Sequence, residues 1–179
     1  RDVDEHDVRN GFYAWSGTVP TTKGTLVKIS SGWSTETELA ELGDVGQHYS
    51  NVVSQRVGLP SQVAAVTNSG DNVYGMLPYD VRENDENGLP LKFDSAKQTR
   101  MQCTISGQSV VMVKRGMFLY SGCGGTPTAG APIYAADNGT ITAEPSTEIA
   151  NKVPEATKVG QFAGIKDAAG WVLIDLDIR

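Results

Sequence analysis

The segment at positions 171–178, near the C-terminal end of the sequence, begins with four apolar residues and ends in strict alternation of hydrophobic and polar residues. A period of two is typical of a β-strand with one buried face, so this segment predicts a strand with Leu176 and Ile178 directed inward. Residues 159–165 form a second strand-like run, and residues 167–170 between the two runs are turn formers. The pattern therefore predicts two strands joined by a turn.

Two further pairs of apolar runs flank turn sequences. Residues 131–142 are centred on Asp137-Asn138-Gly139, and an Asn-Gly pair favours a type I′ turn, which predicts a hairpin. Residues 62–67 and 72–77 flank residues 68–71, which are Asn, Ser, Gly and Asp. This second arrangement also predicts a hairpin, because such residues favour chain reversal.

The remaining pattern consists of short apolar runs separated by polar or glycine-rich segments. Thr35 and Glu38 have the spacing of a capping box, and Gly43 follows as a stop, so one short helix is predicted over residues 35–42. Residues 43–60 are polar and predict an excursion between strands. Further strands are predicted at residues 25–29, 102–105, 108–113 and 116–120.

Many short strands at fairly regular spacing predict an all-β fold, either a compact β-barrel or a β-sandwich, with at most one short helix. Residues 1–12 hold four carboxylates among few apolar positions, so we expect them to form an extended N-terminal arm. Residues 13–179 are then expected to form a single β-domain that carries the polar excursion at residues 43–60.

Composition and charge exclude several classes of function. Gly occurs 20 times in 179 residues and 39% of residues are hydrophobic, which favours short strands and tight turns. The net charge of −6 argues against nucleic-acid binding, which depends on clustered basic residues. No apolar run is long enough to cross a bilayer, and the first residues are charged. We therefore expect no membrane span and no signal peptide, and we expect synthesis in a cytoplasm.

Nucleophilic chemistry has little support. The two histidines, His6 and His48, lie in polar segments, and Ser-His or Cys-His catalysis requires a base beside the nucleophile. Cys123 lies among glycines that resemble an oxyanion hole, but glycines also serve tight backbone bends. Cys103 and Cys123 are interpreted as ordinary core or loop residues, with a disulfide as the less favoured alternative.

Metal and carboxylate chemistry are similarly unsupported. Asp4, His6 and Asp7 form a possible metal cluster, but a solvated acidic terminus explains them more simply. Carboxylates are numerous, yet their spacing selects no pair for glycoside hydrolysis. We therefore expect no enzymatic activity, no catalytic residue, no cofactor and no metal site.

An ordered set of segments in the C-terminal half resembles the cement, or decoration, proteins of tailed-bacteriophage capsids. The resemblance extends more loosely to residues 24–28 and 73–76, while the polar excursion at residues 43–60 departs from it. The segments are Gly116-Met117-Phe118-Leu119-Tyr120, Ala129-Gly130-Ala131-Pro132-Ile133-Tyr134, Asp137-Asn138-Gly139-Thr140-Ile141-Thr142, Lys158-Val159-Gly160-Gln161-Phe162 and Gly170-Trp171-Val172-Leu173-Ile174-Asp175-Leu176.

The resemblance implies a β-barrel or β-tulip-like fold that binds the outside of a capsid and stabilises the expanded shell by bridging capsomers. It implies the major capsid protein as partner, self-association as a homotrimer, and a location on the virion exterior. An N-terminal arm can add a strand to a neighbour at little cost to its own core. The residues predicted to contact the capsid or a second protomer are Val3, Val8, Phe12, Tyr13 and Trp15.

A receptor- or glycan-binding β-domain of a phage tail or fibre is the alternative. Aromatic side chains in loops provide stacking platforms for such ligands. The aromatic residues that would serve are Trp15, Trp33, Tyr49 and Tyr79.

Overall fold

The computed structural model describes residues 8–14, 22–31, 61–67, 71–144 and 158–178. In these ranges the regular secondary structure is mainly strand, with one short α-helix and two short 3-10 helices, Leu91–Phe93 and Asp137–Gly139, so the predicted all-β fold is confirmed. The helix, α1, is Ser95–Met101, and the strands are β1 Val8–Tyr13, β2 Leu26–Ser31, β3 Ser61–Ala65, β4 Gly75–Met76, β5 Asp80–Arg82, β6 Cys103–Ile105, β7 Ser109–Val113, β8 Arg115–Ser121, β9 Pro132–Ala135, β10 Ile141–Thr142, β11 Lys158–Phe162 and β12 Trp171–Asp177.

Five strands close into a small barrel in the order β1-β3-β2-β4-β7. Strand β7 closes it, because Val113 lies opposite Val8 on one side and Met76 on the other. Strands β1 and β3 run parallel, and the other pairs run antiparallel. The barrel core includes Val63 and Met112, both fully buried.

The hairpin predicted for residues 62–67 and 72–77 is wrong. Strand β2 lies between them, since Val27 pairs with Ala65 of β3 and with Gly75 of β4. A turn sequence favours reversal of the chain but does not choose the strand that pairs. Because Leu26 and Val27 are fully buried, β2 takes the central position in this part of the barrel.

The second sheet has five antiparallel strands in the order β10-β9-β11-β12-β8. Strand β12 alternates along its length, with Val172, Ile174 and Leu176 buried. The prediction that Leu176 and Ile178 face inward is confirmed, since they are 1% and 5% exposed. The predicted hairpin of the last two strands is confirmed by the antiparallel pairing of β11 with β12.

The Asn-Gly hairpin is also confirmed. Strands β9 and β10 pair antiparallel, and the Ala136 amide donates to the Thr140 carbonyl at 2.9 Å. Asn138 and Gly139 have φ values of 59° and 70°, the positive values that a type I′ turn requires. The Gly139 amide donates to the Val66 carbonyl at 2.8 Å, so this turn connects the sheet to the barrel.

A third, smaller unit combines the parallel pair of β5 and β6 with α1. The Asp94 carboxylate caps α1 by accepting from the Lys97 amide at 2.9 Å. This helix was not predicted, and the predicted helix at 35–42 and excursion at 43–60 lie outside the described residues. No helix among the described residues has the length and apolar character that a membrane crossing requires.

Part of the predicted N-terminal arm belongs to the barrel. Residues 8–12, assigned to the arm, form most of β1 and pair with β3 and β7. The apolar side chain of Phe12 packs against the barrel core, and this burial is the physical reason for the correction. Residues 1–7 lie outside the described part of the chain.

Candidate interaction surface

The structure places three of the five predicted contact residues on one strand, β1. Val8 and Phe12 are half-buried, and the Phe12 ring centroid lies 4.9 Å from that of Tyr74. Tyr13 is in register with Ser109 of β7 and Gln62 of β3. Val3 and Trp15 lie outside the described residues. A contact between β1 and a capsid or second protomer stays a prediction.

A different surface exposes large apolar side chains. We call it the outer stripe: Met117 and Leu119 of β8 with Trp171 and Leu173 of β12, which are 39%, 63%, 40% and 36% exposed. The strands pair so that Leu119 lies opposite Leu173. These side chains share the face of the sheet that points away from the core, because side chains alternate along a strand.

The outer stripe reaches the edge of its sheet. Strand β8 is a terminal strand, and no described strand pairs with its other side. The Ile178 amide donates to the Lys114 carbonyl at 2.9 Å, which directs the backbone groups of Lys114 toward β12. Because these directions alternate along a strand, the backbone groups of Arg115, Met117 and Leu119 point away from β12.

A groove of about 630 Å³ runs beside the C-terminal half of this edge. One wall is Phe118 to Gly122, and the barrel segment from Met76 to Asp80 contributes another. Of the predicted stacking residues, Tyr79 lines this groove, together with Trp171 and Tyr120. Trp15, Trp33 and Tyr49 lie outside the described residues.

Two ion pairs lie near the stripe and the groove, and the exposed Asp175 of β12 lies opposite Met117. Arg115 Nε donates to Asp177 Oδ1 at 2.8 Å, and both side chains are substantially exposed. Asp80 accepts from the Lys23 amide at 2.7 Å and from Arg82 Nη2 at 2.9 Å. Solvated pairs of this kind contribute little to stability. On the outer face, Asp175 and the Arg115–Asp177 pair lie at one end, and Leu119, Leu173 and Trp171 form the apolar part beyond Met117.

The cysteines are buried and free, as the sequence interpretation favoured. The Cys123 thiol donates to the Gly124 carbonyl at 3.2 Å, and burial raises the pKa of this thiol. Burial also raises the pKa of the Cys103 thiol. A raised pKa opposes formation of the reactive thiolate. The residues described here include no group of three His, Cys, Asp or Glu suited to a metal ion.

Asp85 is the one carboxylate residue classed as buried in the described ranges. It accepts from the Asn87 and Leu89 amides at 2.8 Å each and forms an ion pair with Lys97. The hydrogen bond from Lys97, assisted by those amides, lowers the pKa of Asp85 against the opposing effect of burial. Both carboxylate oxygens are hydrogen-bonded, Oδ1 to the loop amides and Oδ2 to Lys97 of α1, so this carboxylate fixes residues 85–89 to α1 and has a structural role.

The Asp85→Asn variant is expected to lower the melting temperature at pH 7 and to flatten its fall in acid. A folded pKa below the unfolded value of about 3.9 gives stability that is present above about pH 4. That stability is lost as the pH falls through the folded pKa. Thermal unfolding from about pH 7 to about pH 2 measures the effect. Asp175→Asn, at an exposed position, is the control, and parallel curves for wild type and Asp85→Asn would contradict the assignment.

Comparison of the chain with protein-family models, with curated proteins and with solved structures finds no match. The geometry of the described residues is therefore the basis for a functional proposal. Our prediction of contact residues missed the outer stripe, although residues 117–120 and 171–174 are continuous apolar runs. A strand with apolar residues on both faces signals burial on both sides, and here the second side is exposed in the single chain.

Proposed function

We propose that this chain is a structural virion protein that binds the outside of a tailed-phage capsid and stabilises the expanded shell by bridging capsomers. The observation that carries the proposal is the outer stripe, an exposed apolar area beside an unpaired sheet edge. Contiguous exposed apolar area is typical of a protein–protein interface. The partner in this proposal is the major capsid protein.

The arrangement of the resembling segments supports this proposal. Gly116 to Tyr120 lies in β8, and Gly170 to Leu176 lies largely in β12, so two of these segments build the outer stripe together. Many copies on one shell raise the effective concentration, so each contact can be modest. The net charge of −6 would help decorated particles repel one another.

The chemistry of the described residues gives no support to catalysis. Both thiols are buried with raised pKa values. The buried Asp85 carboxylate accepts hydrogen bonds through both of its oxygens. The side chains exposed together are apolar and suited to adhesion. These observations favour a structural role, on the virion exterior, over an enzymatic one.

Leu173→Lys is expected to weaken binding to expanded, undecorated shells of the cognate major capsid protein by about tenfold or more. The basis is the introduced ammonium group, which an interface would have to remove from water without a partner, and a tenfold loss corresponds to about 1.4 kcal/mol. Leu173 is 36% exposed on the outer face, one strand in from the β8 edge. Cosedimentation of purified protein with expanded and unexpanded shells measures binding and its stoichiometry.

Leu89→Lys is the matched control, because Leu89 is 62% exposed in a loop away from the outer stripe. We expect this variant to decorate shells as the wild type does. Wild-type protein that fails to bind expanded shells, or equal binding by Leu173→Lys, would contradict the proposal.

A receptor- or glycan-binding domain of a tail or fibre is the second candidate. The groove supports it, because Tyr79, Tyr120 and Trp171 line about 630 Å³ of open space, and aromatic rings suit sugar stacking. Glycan binding that is lost in Trp171→Ala, together with no affinity for shells, would favour this candidate over the capsid role.

A further inference from the structure

We infer that β8 of one copy pairs antiparallel with β8 of a second copy around a twofold axis at Phe118. The pairing would join two five-stranded sheets into one and make their outer stripes continuous. This inference goes beyond the proposed function, since such a pair can form without a shell. It rests on the backbone direction, the side-chain order and the lack of protection along β8.

The backbone of β8 offers a hydrogen-bonding edge of useful length. The strand spans seven residues, and the Ile178–Lys114 hydrogen bond fixes which of its backbone groups face β12. Those of Arg115, Met117, Leu119 and Ser121 point the other way. Every second residue along the strand therefore presents an amide and a carbonyl to an added strand.

The edge has none of the usual protection against pairing. Proteins protect edge strands with inward charges, proline, bulges or very short length. The sequence of β8, Arg-Gly-Met-Phe-Leu-Tyr-Ser, has no proline, and its pairing with β12 is regular along all seven residues. Its single charged residue, Arg115, lies at one end and is paired with Asp177. By contrast, the opposite edge strand of this sheet, β10, has two residues.

The order of side chains along β8 is self-complementary. With the axis at Phe118, Met117 lies opposite Leu119 of the second copy, and Arg115 lies opposite Ser121 of the second copy. Apolar side chains then meet apolar ones, and no like charges face each other, an arrangement that would be unfavourable. A twofold interface requires a surface that complements itself in this way, and this argues for a second copy as the occupant.

The space beside the edge is compatible with an added strand. The groove of about 630 Å³ adjoins Phe118 to Gly122 of β8 and the segment that follows it, and Trp171 of β12 also lines it. Phe118 and Tyr120 of each copy, which point to the inner face, stay packed against that copy's own core. The outer face, where Leu119 is 63% exposed, receives the other side chains of the incoming strand.

Sedimentation equilibrium of the full chain tests the pairing. We expect the wild type to show a monomer–dimer equilibrium with a dimer of twice the 19.1 kDa chain mass. Leu119→Lys is expected to weaken dimerisation at least about tenfold, because each interface loses two buried leucines. Leu89→Lys, with its exposed leucine in the loop before α1 and not on β8, is expected to dimerise as the wild type does.

Cross-linking tests the register. A mixture of Met117→Cys and Leu119→Cys proteins is expected to form a disulfide-linked dimer on mild oxidation, because the two positions lie opposite each other. Each variant alone is expected to cross-link several-fold less. Circular dichroism of both variants checks that they fold.

Three results would overturn the inference. The first is a wild type that stays monomeric at all concentrations. The second is a trimer or dimer whose stability is the same in the Leu119→Lys variant. The third is cross-linking of each single-cysteine variant with itself that equals the cross-linking of the mixture. If β8 instead pairs with an extended segment of another protein, the purified wild type is expected to stay monomeric, which is the first of these results. Shell binding by a monomeric wild type would refute the dimer and leave the capsid role intact, so the two proposals fail separately.

Discussion

Gly160→Ala is expected to lower the free energy of unfolding by about 3 kcal/mol, near the upper end for overpacking a well-ordered site. Gly160 of β11 lies opposite Leu176 of β12. A methyl group at this position would overlap the carbonyl oxygen of Asp175 and approach the Leu176 Cα to 3.0 Å. These are backbone atoms of a paired strand, so they cannot move aside without breaking the pairing of β11 with β12.

Urea denaturation measures this effect, and a fall in melting temperature of about 6–12 °C should accompany it. Gly164→Ala is the matched control from the loop after β11, since its methyl would meet nothing closer than the Leu173 Cβ at 3.9 Å. We expect that variant to change stability by less than about 0.5 kcal/mol. Equal stability of the Gly160 and Gly164 variants would show that the strands are not as close as described.

Gly139→Ala is expected to destabilise the protein by a similar amount, about 3 kcal/mol, for two reasons that add. Gly139 has a φ of 70°, and an alanine in the left-handed region costs about 1–2 kcal/mol. In addition, the new methyl would overlap the Thr25 Cγ2 and lie 2.6 Å from the Leu26 carbonyl oxygen. The hairpin turn would have to leave the barrel, and the Gly139–Val66 hydrogen bond would be lost.

Gly130→Ala separates the two contributions. Gly130 has a φ of 81° with no atom within 4 Å of an added methyl, so this variant carries the backbone strain alone. It should cost about 1–2 kcal/mol, and the difference from Gly139→Ala measures the clash with β2. Chemical denaturation of both variants gives the comparison, and equal losses would mean that the turn does not press against the barrel.

Local pattern was sufficient for several elements. The period-two alternation that ends the segment 171–178 predicted β12 and its inward face, because a strand with one buried face must alternate. The Asn138-Gly139 pair predicted the β9–β10 hairpin, because few residues accept positive φ in succession. Residues 25–29 were predicted as a strand and lie within or just before β2.

Pairing between distant segments was not predictable in the same way. The insertion of β2 between β3 and β4 depends on which strands bury their apolar faces together. Turn residues do not specify which strands pair. The helix α1 was missed because its seven residues include no buried side chain, so no apolar period marks it. The sequence signal for α1 was the capping residue Asp94, three residues before Lys97. A single Asp of this kind is common in sequences and does not by itself predict a helix.

The candidate surface shows the same division. By itself, the sequence determined an all-β chain, the strand β12 with its buried face, and the Asn-Gly hairpin, since each depends on neighbouring residues. Only the tertiary structure placed residues 8–12 in the barrel, brought Met117 and Leu119 beside Trp171 and Leu173, and left β8 at a sheet edge. The physical reason is that exposure and edge position belong to the pairing of strands far apart in the chain, which hydrophobic pattern alone does not encode.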